Sequence, residues 1–138
     1  MSFISAMDII NIEIKGSKVE LIMEKRQDMV LRNMLLELEE KLQRVYGNKL
    51  KAVILYGSVA RGTATEESDI DIMVLVDGTA QELRTFEDQL SDVSTDISIK
   101  YFKVFSIIDI SYQEYMRWVN TSPFYRNVSK EGVILYAA

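Results

Sequence analysis

A mixed α/β (α+β) fold is predicted here, a small sheet with flanking helices behind an N-terminal helical extension, and three observations predict it. Ser17 to Tyr46 carries apolar residues at helical spacing. Two strand-like runs, Lys51–Tyr56 and Asp69–Val76, follow with too few residues between them for a helical crossover. Helical and strand-like segments then alternate to the end, giving the order helix, strand, strand, helix, strand, helix around a mixed sheet. The 138 residues suit a single domain over 1–138, divided into a mainly helical extension over 1–47 and a core over 51–138.

The elements follow from local pattern. Ile9, Ile10, Ile12 and Ile14 fit a short strand or a helical turn equally well. Leu31, Leu35, Leu38, Leu42 and Val45 then recur every three or four residues, and Gly47-Asn48 supplies a stop. This stripe reads as core or as an oligomer seam. K-A-V-I-L-Y at Lys51–Tyr56 is rich in strand formers and ends on Gly57; Tyr56 is expected to pack in the core. Asp69–Val76 is closed by Asp77-Gly78. Thr79 is placed to cap a helix running to Leu90, with Leu83, Phe86 and Leu90 on one face. Asp96–Val104 reads as a third strand because Ile97 and Ile99 alternate with polar residues, whereas Asp92, in S-D-V-S-T, reads as a turn. A helix over Tyr112–Asn120 and a last one opened by Pro123 precede G-V-I-L-Y at Gly132–Tyr136.

Composition narrows the chemistry. No cysteine is present, which excludes disulfides, thiol catalysis and thiolate metal sites. No histidine is present either, which removes imidazole bases and the usual zinc sites. Any metal must be held by oxygen, favouring Mg²⁺, Mn²⁺ or Ca²⁺. The net charge of −5 gives no support for direct nucleic-acid or anionic-membrane binding. The apolar runs are too short to span a bilayer and the first residues lack the pattern of a signal peptide, so a cytoplasmic location is expected.

The chemistry concentrates in Y-G-S-V-A-R-G-T-A-T-E-E-S-D-I-D-I-M, residues 56–73. Strand residues two apart share a face, so Asp69 and Asp71 aim two carboxylates together while Ile70 and Ile72 face the other way. On a helix the same spacing would separate them by about 200°. Paired carboxylates are costly to desolvate unless a cation neutralises them, and a divalent metal does so most simply. If the two strands are antiparallel neighbours, Gly57-Ser58 lies at the same sheet edge as the aspartates. Gly57 permits close backbone approach to a phosphate, Ser58 offers an N–H and a hydroxyl, and Arg61 adds charge-assisted hydrogen bonds. Gly62 then allows a turn out of the segment. Glu66 and Glu67 read as a solvated loop, and Lys100, on the face of Asp96 in the strand read over Asp96–Val104, as a solvated lysine.

Gly57-Ser58, ten residues, then Asp69-Ile70-Asp71 resembles the G-S-x10-D-x-D signature of the nucleotidyltransferase superfamily related to DNA polymerase β. The fuller string resembles its minimal nucleotidyltransferase branch, whose members are often antitoxins of HEPN-domain ribonuclease toxins. The resemblance is specific over about Val53–Val76 and implies the polymerase β-like nucleotidyltransferase fold, with 51–138 as its catalytic core. It further implies a third carboxylate on a later strand, for which Asp96 is chosen over Asp92. Asp69, Asp71 and Asp96 would then hold two Mg²⁺ ions, with Mn²⁺ as a substitute, and Gly57, Ser58 and Arg61 would hold the phosphates of ATP. The implied reaction is transfer of AMP to a hydroxyl, expected on a tyrosine of a cognate HEPN toxin. A catalytically weak module that neutralises a partner by binding is one alternative. Adenylylation of a small hydroxylated molecule is another. The N-terminal extension is left to pack on the sheet, to form a homo-oligomer or to contact the partner.

Overall fold

The computed structural model describes the backbone from Lys18 to Ala138 and side chains from Met29 onward. The isoleucine-rich opening segment lies outside the described residues. Helix α1 (Lys18–Tyr46) leads through a 3-10 turn at Gly47–Lys49 into β1 (Leu50–Tyr56), α2 (Gly57–Arg61) and β2 (Ile70–Val76). Next come α3 (Ala80–Arg84), α4 (Glu87–Tyr101), β3 (Phe105–Ser111), α5 (Tyr112–Trp118), α6 (Pro123–Glu131) and β4 (Val133–Ala137). The four strands lie in the order β3-β2-β1-β4. β1 runs antiparallel to β2 and β4, and β2 runs parallel to β3, so the sheet is mixed as expected.

The central strand β2 is buried on both faces, which explains its nearly unbroken apolar run. Ile70, Ile72, Val74 and Val76 join one cluster with Leu35, Leu38 and Leu42 of α1 and with Leu90, Val93 and Ile97 of α4. Met73 and Leu75 join a second cluster with Ala52, Ile54, Tyr115 of α5 and Val128 of α6. Helices therefore cover both faces, and the leucine stripe of α1 is core. The cap expected at Thr79 and the helix start expected at Pro123 are both present, and two further caps were not anticipated. Thr79 accepts a hydrogen bond from Glu82 N–H, Ser111 and Ser122 cap α5 and α6, and Pro123 occupies the first turn of α6.

One expected element is corrected. Residues 96–104 do not form a strand: Asp96 lies within α4, as does Asp92, and the third strand is Phe105–Ser111. The alternation of Ile97 with Ile99 was misleading because only Ile97 faces the core. It is fully buried, whereas Ile99 is 67% exposed. The stripe that organises the segment is Leu90, Val93 and Ile97, at helical spacing. The predicted helix from Thr79 is also interrupted near Phe86 and resumes as α4.

β3 carries its own carboxylate, Asp109, half-buried and in register with Val74 on the α1 side of the sheet. Tyr46 Oη donates to Asp109 Oδ2 at 3.0 Å. Burial pushes the Asp109 carboxyl above its ordinary value, and the Tyr46 hydrogen bond offsets part of that rise.

Two outcomes follow from this packing. Ile97→Ala should destabilise the fold by about 2–5 kcal/mol, whereas Ile99→Ala should change it by less than about 0.5 kcal/mol; equal losses in urea denaturation would restore the strand. Asp109 binds its proton more readily in the fold than unfolded, so its contribution favours the fold at low pH and is lost as pH rises through the elevated pKa. Asp109→Asn keeps an acceptor for Tyr46 and removes the charge. Its urea midpoint should exceed that of the wild type at pH 7, and the difference should close towards about pH 4; a pH-independent difference would contradict this account.

Candidate active site

The antiparallel pairing of β1 with β2 brings the end of one to the beginning of the other, with Tyr56 directly opposite Asp71. Gly57 and Asp71 consequently touch. Gly57 has φ of 75°, a conformation that side chains disfavour. A Cβ there would collide with Asp71 Oδ2 and lie 3.2 Å from its Cγ. Glycine is thus required twice at this position, by backbone conformation and by the aspartate against it. Gly62, with the same φ of 75°, ends α2 in the left-handed conformation and has open space around it. The turn out of the segment is therefore formed as the sequence indicated, and Glu66 and Glu67 of the following loop are exposed.

Asp69 immediately precedes β2 and is exposed, while Asp71 is half-buried. Burial, and then the nearby negative charge of Asp69, push the Asp71 carboxyl above its ordinary value; Arg61 pulls it back. Asp69, Asp71, Gly57 and Arg61 therefore share one electrostatic neighbourhood. Arg61 is the last residue of α2, and Ser58 lies in its first turn. Tyr56 lines the same face, only part-buried, with its ring edge-on to Phe124 at 5.6 Å between centroids. Burial and the charge on Asp71 raise the Tyr56 phenol above its ordinary value.

Asp96 is not brought to this group. It is exposed on α4, which packs by Leu90, Val93 and Ile97 on the sheet face away from Asp71. Asp92 shares that helix. Lys100 is engaged elsewhere, its Nζ donating to Glu37 Oε1 at 2.6 Å. On β3 the position in register with Asp71, on the same sheet face, is Ser106. Among the described residues no group of three or more Asp or Glu side chains is arranged to hold an ion. Two carboxylates, one partly desolvated by its surroundings, still fit Mg²⁺. That ion is commonly held by one or two carboxylates, with substrate phosphates and water completing its shell. Sequence reasoning missed Ser106 because the strand that carries it was not recognised. It also missed Glu131 on α6, whose Oε2 lies 3.4 Å from Arg61 Nη1; no local sequence signal links those two residues.

The two glycines provide a test of the geometry. Gly62→Ala should cost only the left-handed conformation, about 1–2 kcal/mol. Gly57→Ala should cost more, because Asp71 must also move. Equal shifts of the urea midpoint would mean that Asp71 does not rest against Gly57.

Comparison with known proteins identifies the family. The chain matches the family described as Polymerase beta, Nucleotidyltransferase over residues 37–138. A Methanocaldococcus jannaschii protein designated, by inference, a protein adenylyltransferase is 38% identical over 100 residues, covering 72% of this chain and 92% of the relative. A second protein of that organism and designation is 32% identical over 74 residues, covering 54% of this chain and 50% of the relative. Among solved structures, a toxin–antitoxin crystallised with AMP-PNP shares the fold at a TM-score of 0.50 and 20% identity, covering 77% of this chain and 73% of that one. A mutant of the toxin–antitoxin MntA-HpeT gives the same TM-score and coverage at 18% identity. With its family match spanning the whole of the sheet-forming region, this chain belongs to the polymerase beta nucleotidyltransferase family and is a nucleotidyltransferase.

Proposed function

We propose that the chain is a protein adenylyltransferase that moves AMP from ATP to a hydroxyl, on a tyrosine of a cognate HEPN-type toxin, and so acts as its antitoxin. The observation that carries the site assignment is the contact of Gly57 with Asp71, which joins the Gly-Ser loop to the paired carboxylates. The donor class and a protein acceptor draw support from the designation of the relatives. The toxin partner draws support from the toxin–antitoxin character of the fold neighbours, one of them crystallised with AMP-PNP.

In this reading Asp69 and Asp71 hold Mg²⁺, which when bound supplies neutralisation of the triphosphate charge. Gly57 and Ser58 offer backbone N–H groups, and Ser58 its hydroxyl, to phosphate oxygens. Arg61 contributes a planar guanidinium suited to the same oxygens. The acceptor oxygen attacks the α-phosphorus, the bond to the β-phosphate oxygen breaks and pyrophosphate leaves. In this reading the hydroxyl proton passes to a carboxylate of the pair or to water, and Asp96, on α4, takes no part. Catalysis then rests on orientation and on charge held in place before the reaction.

Co-expression with the protein encoded beside this chain, followed by labelled AMP transfer and mass spectrometry, tests the reading. Asp69→Asn and Asp71→Asn should each lower transfer by on the order of 10²–10³-fold or more, while Asp96→Asn should leave it near the wild-type level. Modification of a partner tyrosine is the expected product. Equal, negligible transfer by wild type and variants, with all of them still neutralising the partner, would replace the enzyme with a binding module.

A further inference from the structure

We propose that Glu131 is a positioning residue for nucleotide binding, holding the Arg61 guanidinium at the phosphate-binding loop; this rests on Arg61 being a phosphate ligand. The two residues are 70 positions apart in sequence, yet Arg61 Nη1 and Glu131 Oε2 approach to 3.4 Å. Both side chains are 47% exposed. A surface ion pair of this kind adds little to stability, so its value lies in where it holds the charge.

Both ends of the pair are fixed to β1. Arg61 closes α2, which begins directly where β1 ends. Glu131 closes α6, and the chain then turns into β4, whose Val133 pairs with Leu55 of β1. Gly132 makes that turn possible. Its N–H donates to Val128 O at 2.8 Å, and a Cβ would collide with that same oxygen and lie 2.6 Å from Ile54 Cγ2. A side chain at Gly132 would therefore force the end of α6 or Ile54 to shift. Val128, one turn earlier, is buried in the second core cluster and anchors α6.

Arg61 also lies close enough to Asp71 to offset part of the charge at that carboxylate. The guanidinium is thus paired with Glu131 while its charge still acts on the site aspartate. Arginine has five N–H donors in a planar fork, so one edge can remain with Glu131 while the other meets a phosphate. An unrestrained arginine loses rotamer freedom on binding. An arginine already held by Glu131 loses less, which appears as nucleotide affinity rather than as fold stability.

The test is calorimetric binding of AMP-PNP with Mg²⁺ to the full chain, together with thermal midpoints. Glu131→Gln should weaken binding by about 3- to 10-fold with an unchanged midpoint, and Glu131→Asp should restore part of the affinity. Arg61→Ala should weaken binding at least as much, and adding Glu131→Gln to it should have no further effect. Wild-type affinity in Glu131→Gln, tighter binding in that variant, or additive losses in the double variant would each overturn the positioning role while leaving the nucleotidyl-transfer reading intact. If Arg61→Ala binds as the wild type does, the role falls because Arg61 is no phosphate ligand. If the wild-type chain binds no AMP-PNP, the role falls together with the proposed reaction.

Discussion

The burial of β2 on both faces is the constraint on which the rest of the structure depends. A central strand between two helical layers has to present apolar side chains in both directions, and from Ile70 to Val76 it does so at every position but one. The exception is Asp71, on the face of Met73 and Leu75, at the end where the second core cluster gives way to the Gly57 loop. A carboxylate is tolerated there because the covering layer stops short of it, and it is only half-buried as a result. Site and core are thus two ends of one alternating pattern. Moving the register of β2 by one residue would exchange Asp71 with an isoleucine and place charge within the α1 and α4 layer.

That dependence explains why so much of the site was legible in the sequence. Antiparallel pairing of two strands joined by a short loop leaves little choice about which ends meet, so Gly57 and Asp71 follow from order and length. Alternation fixes the shared face of Asp69 and Asp71. The glycine at 57 adds a local requirement consistent with both. These are short-range rules acting in the same direction, and the structure keeps the strand pairing and the Gly57–Asp71 approach.

The third strand was not legible, for a reason that is equally physical. A parallel neighbour for β2 requires a crossover of a dozen or more residues. The sequence between Val76 and Phe105 offered two ways to supply it: a helix ending near Leu90 with a strand from Asp96, or a longer helix with a later strand. Over the short window Asp96–Lys100, period-two alternation and helical periodicity both accommodate Ile97, and Ile99 tips a local reading towards strand. Burial decides otherwise, since Leu90, Val93 and Ile97 reach α1 and β3 together only from a helix. The actual strand, F-S-I-I-D-I-S, was obscured by Asp109, whose carboxylate is accommodated by Tyr46 some 63 positions earlier. Long-range satisfaction of a polar group leaves no mark in a local window.

Placing Asp96 outside the site changes what the remaining residues must do. Two carboxylates carry less negative charge than three, so on the proposed function a triphosphate beside Asp69 and Asp71 would meet less repulsion. Ser106, in register with Asp71, adds a hydroxyl but no charge at the third strand. Positive charge on the opposite side of the loop correspondingly matters more, and Arg61 is the cation whose field reaches Asp71. Its own position is governed by a helix from the far end of the chain, through Glu131 and the close approach of Gly132 to β1. The strand that brings Gly57 to Asp71 therefore also fixes, by its other edge, the C-terminal segment that holds Arg61. Both halves of the candidate site are referred to β1, one through its pairing with β2 and the other through its pairing with β4.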